Sequence, residues 1–313
     1  MTAGRPHFRI AFKRSYCALA ALLVASWCTS ALAQELSPRL YWPAPVGTQV
    51  LVAGYQRSSG DVLMDPSIPV YGVDSKIDTL LLGYVRTFDV WGRTSNLLLE
   101  LPYSSGTTEG FVEDNDVSSS FAGFNDVAIS MTINLFGAPA MTVEGFQALR
   151  ENPGPIVGLN FKLVPPTGYY DDGRLINVGS NRWAGRIQVG SILPLRPRWL
   201  FELAAGAWFF TDDNEFVNGR RQQEPIYAVE AHLIRRFSPG FWLALDANYF
   251  TGGAQTIGGN ELVDLQRNSR IGATLTVPFQ RRHALKLVYS TGTRTRFGND
   301  FNQFVVAYQR LLH

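Results

Sequence analysis

The chain has 313 residues, with 28 Lys and Arg against 26 Asp and Glu, and two cysteines. Charged residues are dispersed and form no basic face of the kind that grips a phosphate backbone, so nucleic acid is excluded as a partner. Aromatic residues make up 12% of the chain, a richness that suits strands and membrane interfaces.

Residues 1–33 read as an export signal rather than as part of the fold. Arg5, Arg9, Lys13 and Arg14 form a basic start, Cys17–Ala25 an apolar run, and Ala31-Leu-Ala33 a small-x-small cleavage site. The apolar run falls well short of the roughly 20 residues that a helix needs to span a bilayer. Cleavage leaves one domain, 34–313, beginning at Gln34. It contains no cysteine and carries 24 basic against 26 acidic residues, a net charge of −2.

From there the chain reads as short segments of alternating polarity separated by Gly, Pro, Asn and Asp clusters. Strands are expected near 48–57, 76–88, 94–104, 121–136, 155–165, 182–193, 199–211, 224–236, 241–251, 264–278, 283–292 and 301–312. The pattern is clearest where Val127, Ile129, Met131, Ile133 and Leu135 alternate with Asp126, Ala128, Ser130, Thr132 and Asn134. This period of two gives one apolar and one polar face. The first two strands alternate weakly, and their facing is open. In 137–154, Thr142 followed by Val-Glu-Gly-Phe-Gln-Ala-Leu-Arg reads as a capped helical turn or two.

The connections alternate in length. Those around 89–93, 194–198, 237–240 and 279–282 are brief, while 58–75, 105–120, 166–181, 212–223 and 252–263 are long and polar. Aromatic residues gather near the strand ends in two bands. An all-β, antiparallel, up-and-down transmembrane barrel of about twelve strands has both properties, with short turns on one side of the membrane and long loops on the other. A soluble β-sandwich would also alternate, but has no reason to alternate its loop lengths.

Within that reading Glu100, Asp126, Lys162, Arg186, Glu202, Glu230, His232, Asp246, Arg270 and Lys286 fall on the polar face and are expected to line the lumen. His232 and Glu230, two residues apart, are a polar lumen pair or, alternatively, an acid–base pair of a lipid hydrolase. No Gly-x-Ser-x-Gly elbow accompanies them, and no catalytic residue is assigned. Asp171-Asp172, Asp212-Asp213 and Glu113–Asp116 are acidic loop clusters that lack the spacing of a calcium loop, and no metal or cofactor is expected. In Asn177–Trp183, Gly179 and Asn181 suit a tight turn, and Arg182 reads as a lock between loop and barrel.

Gly123–Pro139 and Pro165–Trp183 resemble the transporter-like outer-membrane family associated with the meta-pathway of phenol degradation. The resemblance implies a Gram-negative outer-membrane barrel that passes small, often aromatic, solutes and is not an enzyme. A barrel acting on lipid, or one with an adhesive or structural role, is the alternative. The expected partners are outer-membrane lipid, lipopolysaccharide, small solutes and the barrel assembly machinery. The last strand alternates through Phe304, Val306 and Tyr308 but ends in Leu312-His313, where an aromatic terminal residue would give a stronger assembly signal. The exported protein is expected to begin at Gln34 in the outer-membrane fraction; an intact mass that still includes residues 1–33 would refute the cleavage site.

Overall fold

The computed structural model describes residues 36–62, 71–112, 115–174, 176–216 and 219–312. The export signal and His313 therefore lie outside the described residues. Twelve antiparallel strands close into a barrel: β1 (Gln49–Asp61), β2 (Tyr71–Val90), β3 (Arg93–Val112), β4 (Asn115–Phe124 and Ala128–Phe136), β5 (Ile156–Val164) and β6 (Ala184–Arg196), then β7 (Trp199–Phe210), β8 (Ile226–Ser238), β9 (Phe241–Gly252), β10 (Gln266–Gln280), β11 (His283–Arg294) and β12 (Asp300–Leu311). Each strand pairs with its neighbours in sequence, and β1 pairs with β12 along its length, from Val50 opposite Leu311 to Asp61 opposite Asp300. Closure satisfies the backbone donors and acceptors without an open edge, the condition for crossing lipid with strands.

The period of two resolves into an inner and an outer face. On β9, Leu243, Leu245, Ala247 and Tyr249 point outward and Trp242, Ala244, Asp246 and Asn248 point inward. Leu245 is 58% exposed to the surroundings and Ala244 is fully enclosed. An outward face of Leu, Val, Ile and Phe exposed in this way is the face that meets lipid.

The short connections are two-residue hairpins. Val90 faces Arg93 across Trp91 and Gly92, both at positive φ (52° and 74°), which is the primed turn that matches strand twist. Ser238 faces Phe241 across Pro239-Gly240, with Gly240 at φ 77°; proline presets the first turn angle and glycine supplies the positive second one. In the remaining connection at this end, a helix, α1 (Val143–Glu151), forms where the capping pattern placed it, and Thr142 Oγ1 accepts a hydrogen bond from Gly145 N at 3.4 Å.

Two departures from the sequence expectation have identifiable causes. First, much of 71–75 and 105–120, read as loop, is strand: β2, β3 and the first part of β4 run far beyond the apolar wall as a long hairpin extension. Their Ser, Thr and Gly content hides the period. Likewise Asp213–Phe216, Gly219–Gln223, Gln255–Ile257 and Asn260–Glu261 form a small four-stranded sheet at the long-loop end. Second, the weak alternation of β1 and β2 reflects a wall that is apolar on both faces. Val50, Val52, Leu81 and Val85 point inward into a cluster with Leu98, Ala44, Ala284, Ala307 and Leu311.

Replacing Leu245 with Arg is expected to destabilise the barrel by about 2–4 kcal/mol, the cost of a cation on the lipid face near mid-membrane. Arg at exposed Val263, in a loop, should stay within about 0.5 kcal/mol. Reversible urea unfolding in lipid vesicles measures both; equal costs would overturn the assignment of the outer face.

Candidate functional site

The lumen has three layers. The chain before β1 does not stay outside the barrel. It folds into the lumen from the short-turn end, burying Leu36, Ser37, Arg39, Leu40, Tyr41, Trp42 and Ala44. Tyr41 and Trp42 pack with Ile156, Ile192, Leu200, Ile234 and Trp242 of the wall and with Phe146 of α1, which closes that end from below.

Two glycines make room for this plug. A Cβ on Gly190 would lie 1.9 Å from the Tyr41 ring, and one on Gly158 would lie 2.4 Å from it. Both are inward positions on adjacent strands, paired with each other in register. Any side chain there would unseat the tyrosine. Tyr41 Oη then donates to Gln188 Oε1 at 2.9 Å, and the Arg39 backbone amide donates to Glu202 Oε2 at 2.6 Å. The Arg39 guanidinium lies over Trp42 (4.9 Å) and Trp242 (5.2 Å), a desolvated cation held on two ring faces.

The opposite end is closed by an apolar layer. Val73, Ile77, Phe121 and Phe301 of the wall meet Ile176, Val178, Phe216 and Ile257 of the loops. Loop 165–183 is pinned where β4 is interrupted. Asp126 accepts from Gly168 N (2.8 Å) and Ser180 N (2.8 Å), and Val127 N donates to Thr167 Oγ1 at 2.9 Å. Gly168 and Gly179 touch backbone to backbone, so the glycine requirement at Gly179 is one of close approach, while Asn181 takes the positive φ of 54°. Arg182 Nη2 donates to Gln223 Oε1 at 2.6 Å, and its guanidinium covers Phe210 at 4.6 Å. This ties the loop to the small sheet.

Between the two apolar layers lies a polar band. Glu100, Lys162, Arg186, Glu202, Glu230, His232, Asp246, Arg270 and Lys286 all point inward and are at most 4% exposed. Asp126, the tenth residue of the polar face, is instead committed to the loop. Lys162 meets Glu100 at 3.0 Å. Arg186 bonds Asn160 Oδ1 at 3.1 Å and approaches Glu230 at 3.9 Å, while Gln188 Nε2 donates to Glu230 Oε1 at 2.7 Å. Arg270 donates to Ser290 Oγ at 2.9 Å and stacks on Phe301 at 3.8 Å. Arg39, from the plug, adds a cation to this layer.

The geometry gives no support to hydrolysis. His232 Nδ1 bonds Asp246 Oδ1 at 2.8 Å, but His232 Nε2 faces Glu230 Oε2 at 3.6 Å. The neighbouring hydroxyl, Thr274 Oγ1, donates to Asp246 Oδ2 at 2.7 Å rather than to the imidazole. The histidine is thus held between two carboxylates. Among the described residues no three His, Cys, Asp or Glu side chains gather as a metal site. Of the acidic loop residues, Asp171 pairs with Arg174 at 3.2 Å, Asp213 with Arg221 at 3.3 Å, and Asp212 with Arg220. His283 lies on the outer wall, in contact with Tyr308.

Residues 57–304 match the family described by the MetA-pathway of phenol degradation. The chain belongs to this family. No curated protein matches it in sequence. In fold it is similar to an outer-membrane channel from Pseudomonas putida F1, with a TM-score of 0.73 at 20% identity over 89% of this chain and 100% of that one. The β domain of the Bordetella autotransporter BrkA (TM-score 0.49, 12% identity, 85% of this chain and 100% of that one) is a fainter likeness. So is the KdgM porin (0.44, 9%, 84% and 99%). Neither carries an argument; the first likeness supports the twelve-stranded barrel fold.

The inner-face charges were legible from the period of two. The plug was not. Tyr41 and Trp42 precede the first strand and show no period, and the one available signal was glycine at the inward positions 158 and 190. For the polar band, Glu100→Gln should cost about 3–5 kcal/mol, because Lys162 then stays buried without its carboxylate. Replacing both partners, Glu100→Leu with Lys162→Met, should recover most of that loss. A double variant as unstable as the single one in urea titration would show that the pair is not an isolated unit.

Proposed function

We propose that this chain is an outer-membrane channel for small solutes, held shut in the described conformation by its own N-terminal segment. The observation that carries this reading is the layered lumen of a closed barrel. A polar, charge-paired band crosses the interior, and its short-turn end is stoppered by Tyr41 and Trp42 seated on Gly158 and Gly190. A barrel serving only as an anchor needs no such buried charges, each of which is expensive to desolvate.

In this orientation the two-residue turns and α1 face the periplasm and the long loops face outward, beside lipopolysaccharide. The chain would reach the membrane by export through its cleaved signal and insertion by the barrel assembly machinery. The substrate class follows from the lumen. Arg39, Lys162, Arg186, Arg270 and Lys286 share the lumen with Glu100, Glu202, Glu230 and Asp246, five cations against four carboxylates. A path without a ring of one sign selects weakly by charge. Its apolar ends and the inward rings of Trp42, Trp208 and Trp242 favour small neutral or aromatic solutes over bulky sugars. The phenol-degradation description of the family agrees with that preference.

The test is conductance in planar bilayers. Wild-type protein is expected to pass a small current with a reversal potential near zero in a salt gradient. Removing residues 36–44, or the single change Gly190→Ala, should raise the current several-fold by unseating Tyr41. No current from a well-folded deletion variant would refute the channel, and an unchanged current in both variants would refute the plug.

A further inference from the structure

We propose that the outer wall at the short-turn rim, across β10, β11, β12, β1 and β2, is a binding surface for anionic phospholipid headgroups of the inner leaflet. The inference rests on the membrane-barrel reading and is independent of conductance.

The rim collects guanidinium groups by register. Arg310 of β12 lies opposite His283 on one side and Leu51 on the other. Arg86 of β2 lies opposite Gln49, two residues along β1 from Leu51. Arg281 and Arg282 form the β10–β11 turn, and the Arg282 carbonyl accepts from Leu311 N at 2.8 Å, which holds the turn against β12. Adjacent strands are about 4.8 Å apart, so these cations share one patch a few strands wide. Arg86, Arg281, Arg282 and Arg310 are exposed.

The patch has almost no counter-charge. Its nearest acid in sequence, Asp89, is engaged in its own turn, accepting from Gly92 N at 2.6 Å. Among the described residues Arg86, Arg281 and Arg310 meet no carboxylate. At the long-loop end Arg57, Arg174, Arg220 and Arg221 each meet an aspartate, while Arg267, Arg294 and Arg296 meet no carboxylate among the described residues. Unpaired arginines held close together repel one another, and an anion between them removes that cost.

Depth selects the anion. Beside Arg310, the rings of Phe279, His283 and Tyr308 stack on one another at centroid distances of 5.7–6.3 Å, and His283 Nδ1 contacts Tyr308 Oη at 2.6 Å. Such rings sit at headgroup level, and farther from the rim the wall turns apolar through Leu80, two residues along β2 from Leu82, which is level with Tyr308. The guanidinium groups therefore stand at the depth of lipid phosphates, whose oxygens match their planar fork. A soluble acidic protein would have to displace lipid from this wall to reach them.

The experiment is native mass spectrometry of the full mature chain, released from detergent holding equal phosphatidylglycerol and phosphatidylcholine of the same chain length. Wild type is expected to retain phosphatidylglycerol preferentially. Arg86→Gln/Arg282→Gln/Arg310→Gln should reduce the preference by roughly five-fold for each arginine removed. Arg57→Gln/Arg174→Gln/Arg220→Gln, which removes the same charge from the other end, should leave it intact. Heat-modifiable gel mobility confirms that each variant is folded. Should the rim variant fail to fold, the wild-type preference must still shrink in about 1 M salt, where charges on an exposed surface are screened within about 3 Å. Equal retention of the two lipids by wild type overturns the proposal. So does an equal loss in the two variants, a salt-independent preference, or displacement of the lipid by an equal concentration of inorganic phosphate.

Discussion

The pairing of β1 with β12 is the constraint from which the remaining structure follows. Twelve strands with a free edge would leave a row of backbone donors and acceptors in hydrocarbon, each costing several kcal/mol. Register along the whole of β1 and β12 removes that row. Once the sheet is closed, every side chain has one of two fates, lipid or lumen, decided by parity alone. The outer face can be apolar without penalty. The inner face becomes a confined volume that has to be filled, hydrated or paired.

The chain answers the confinement differently at three heights. At the short-turn end it threads its own N-terminal segment inside, so that Tyr41 and Trp42 add ring surface to the wall's Ile156, Ile192, Leu200, Ile234 and Trp242. At the other end the loops fold inward over Ile77, Phe121 and Phe301. In the middle the wall keeps charges but matches them, as Lys162 with Glu100 shows. The side chains of the band are at most 4% exposed, and that burial strengthens each pairing between them. Stability and closure are thus the same feature. Withdrawing the N-terminal segment would uncover Arg39 and Glu202 together, because the Arg39 amide donates to that carboxylate.

Parity does not decide which exposed charges find a partner. At the long-loop end Arg57, Arg174, Arg220 and Arg221 each meet an aspartate, and at the short-turn rim Arg86, Arg281 and Arg310 meet no carboxylate among the described residues. An exposed cation in bulk water would gain little from a partner.

Most of the barrel was legible in the amino-acid order. Alternation such as Val127–Leu135, the two-residue turn at Pro239-Gly240 and the Thr142 cap are local, and local chemistry determines them: a period of two has only one pleated solution, and a proline–glycine pair has few turns open to it. The inward side of Glu202 or Arg270 follows from the same period. Tertiary structure alone decided what those side chains meet. Glu230 finds Gln188 and Arg186 from another strand, His232 sits between two carboxylates, and Asp126 serves a loop instead of the lumen. Nor does any local pattern show that residues 36–44 turn back into the barrel. That depends on two glycines, 158 and 190, more than a hundred residues away, whose missing side chains leave a space that only the closed barrel brings to Tyr41.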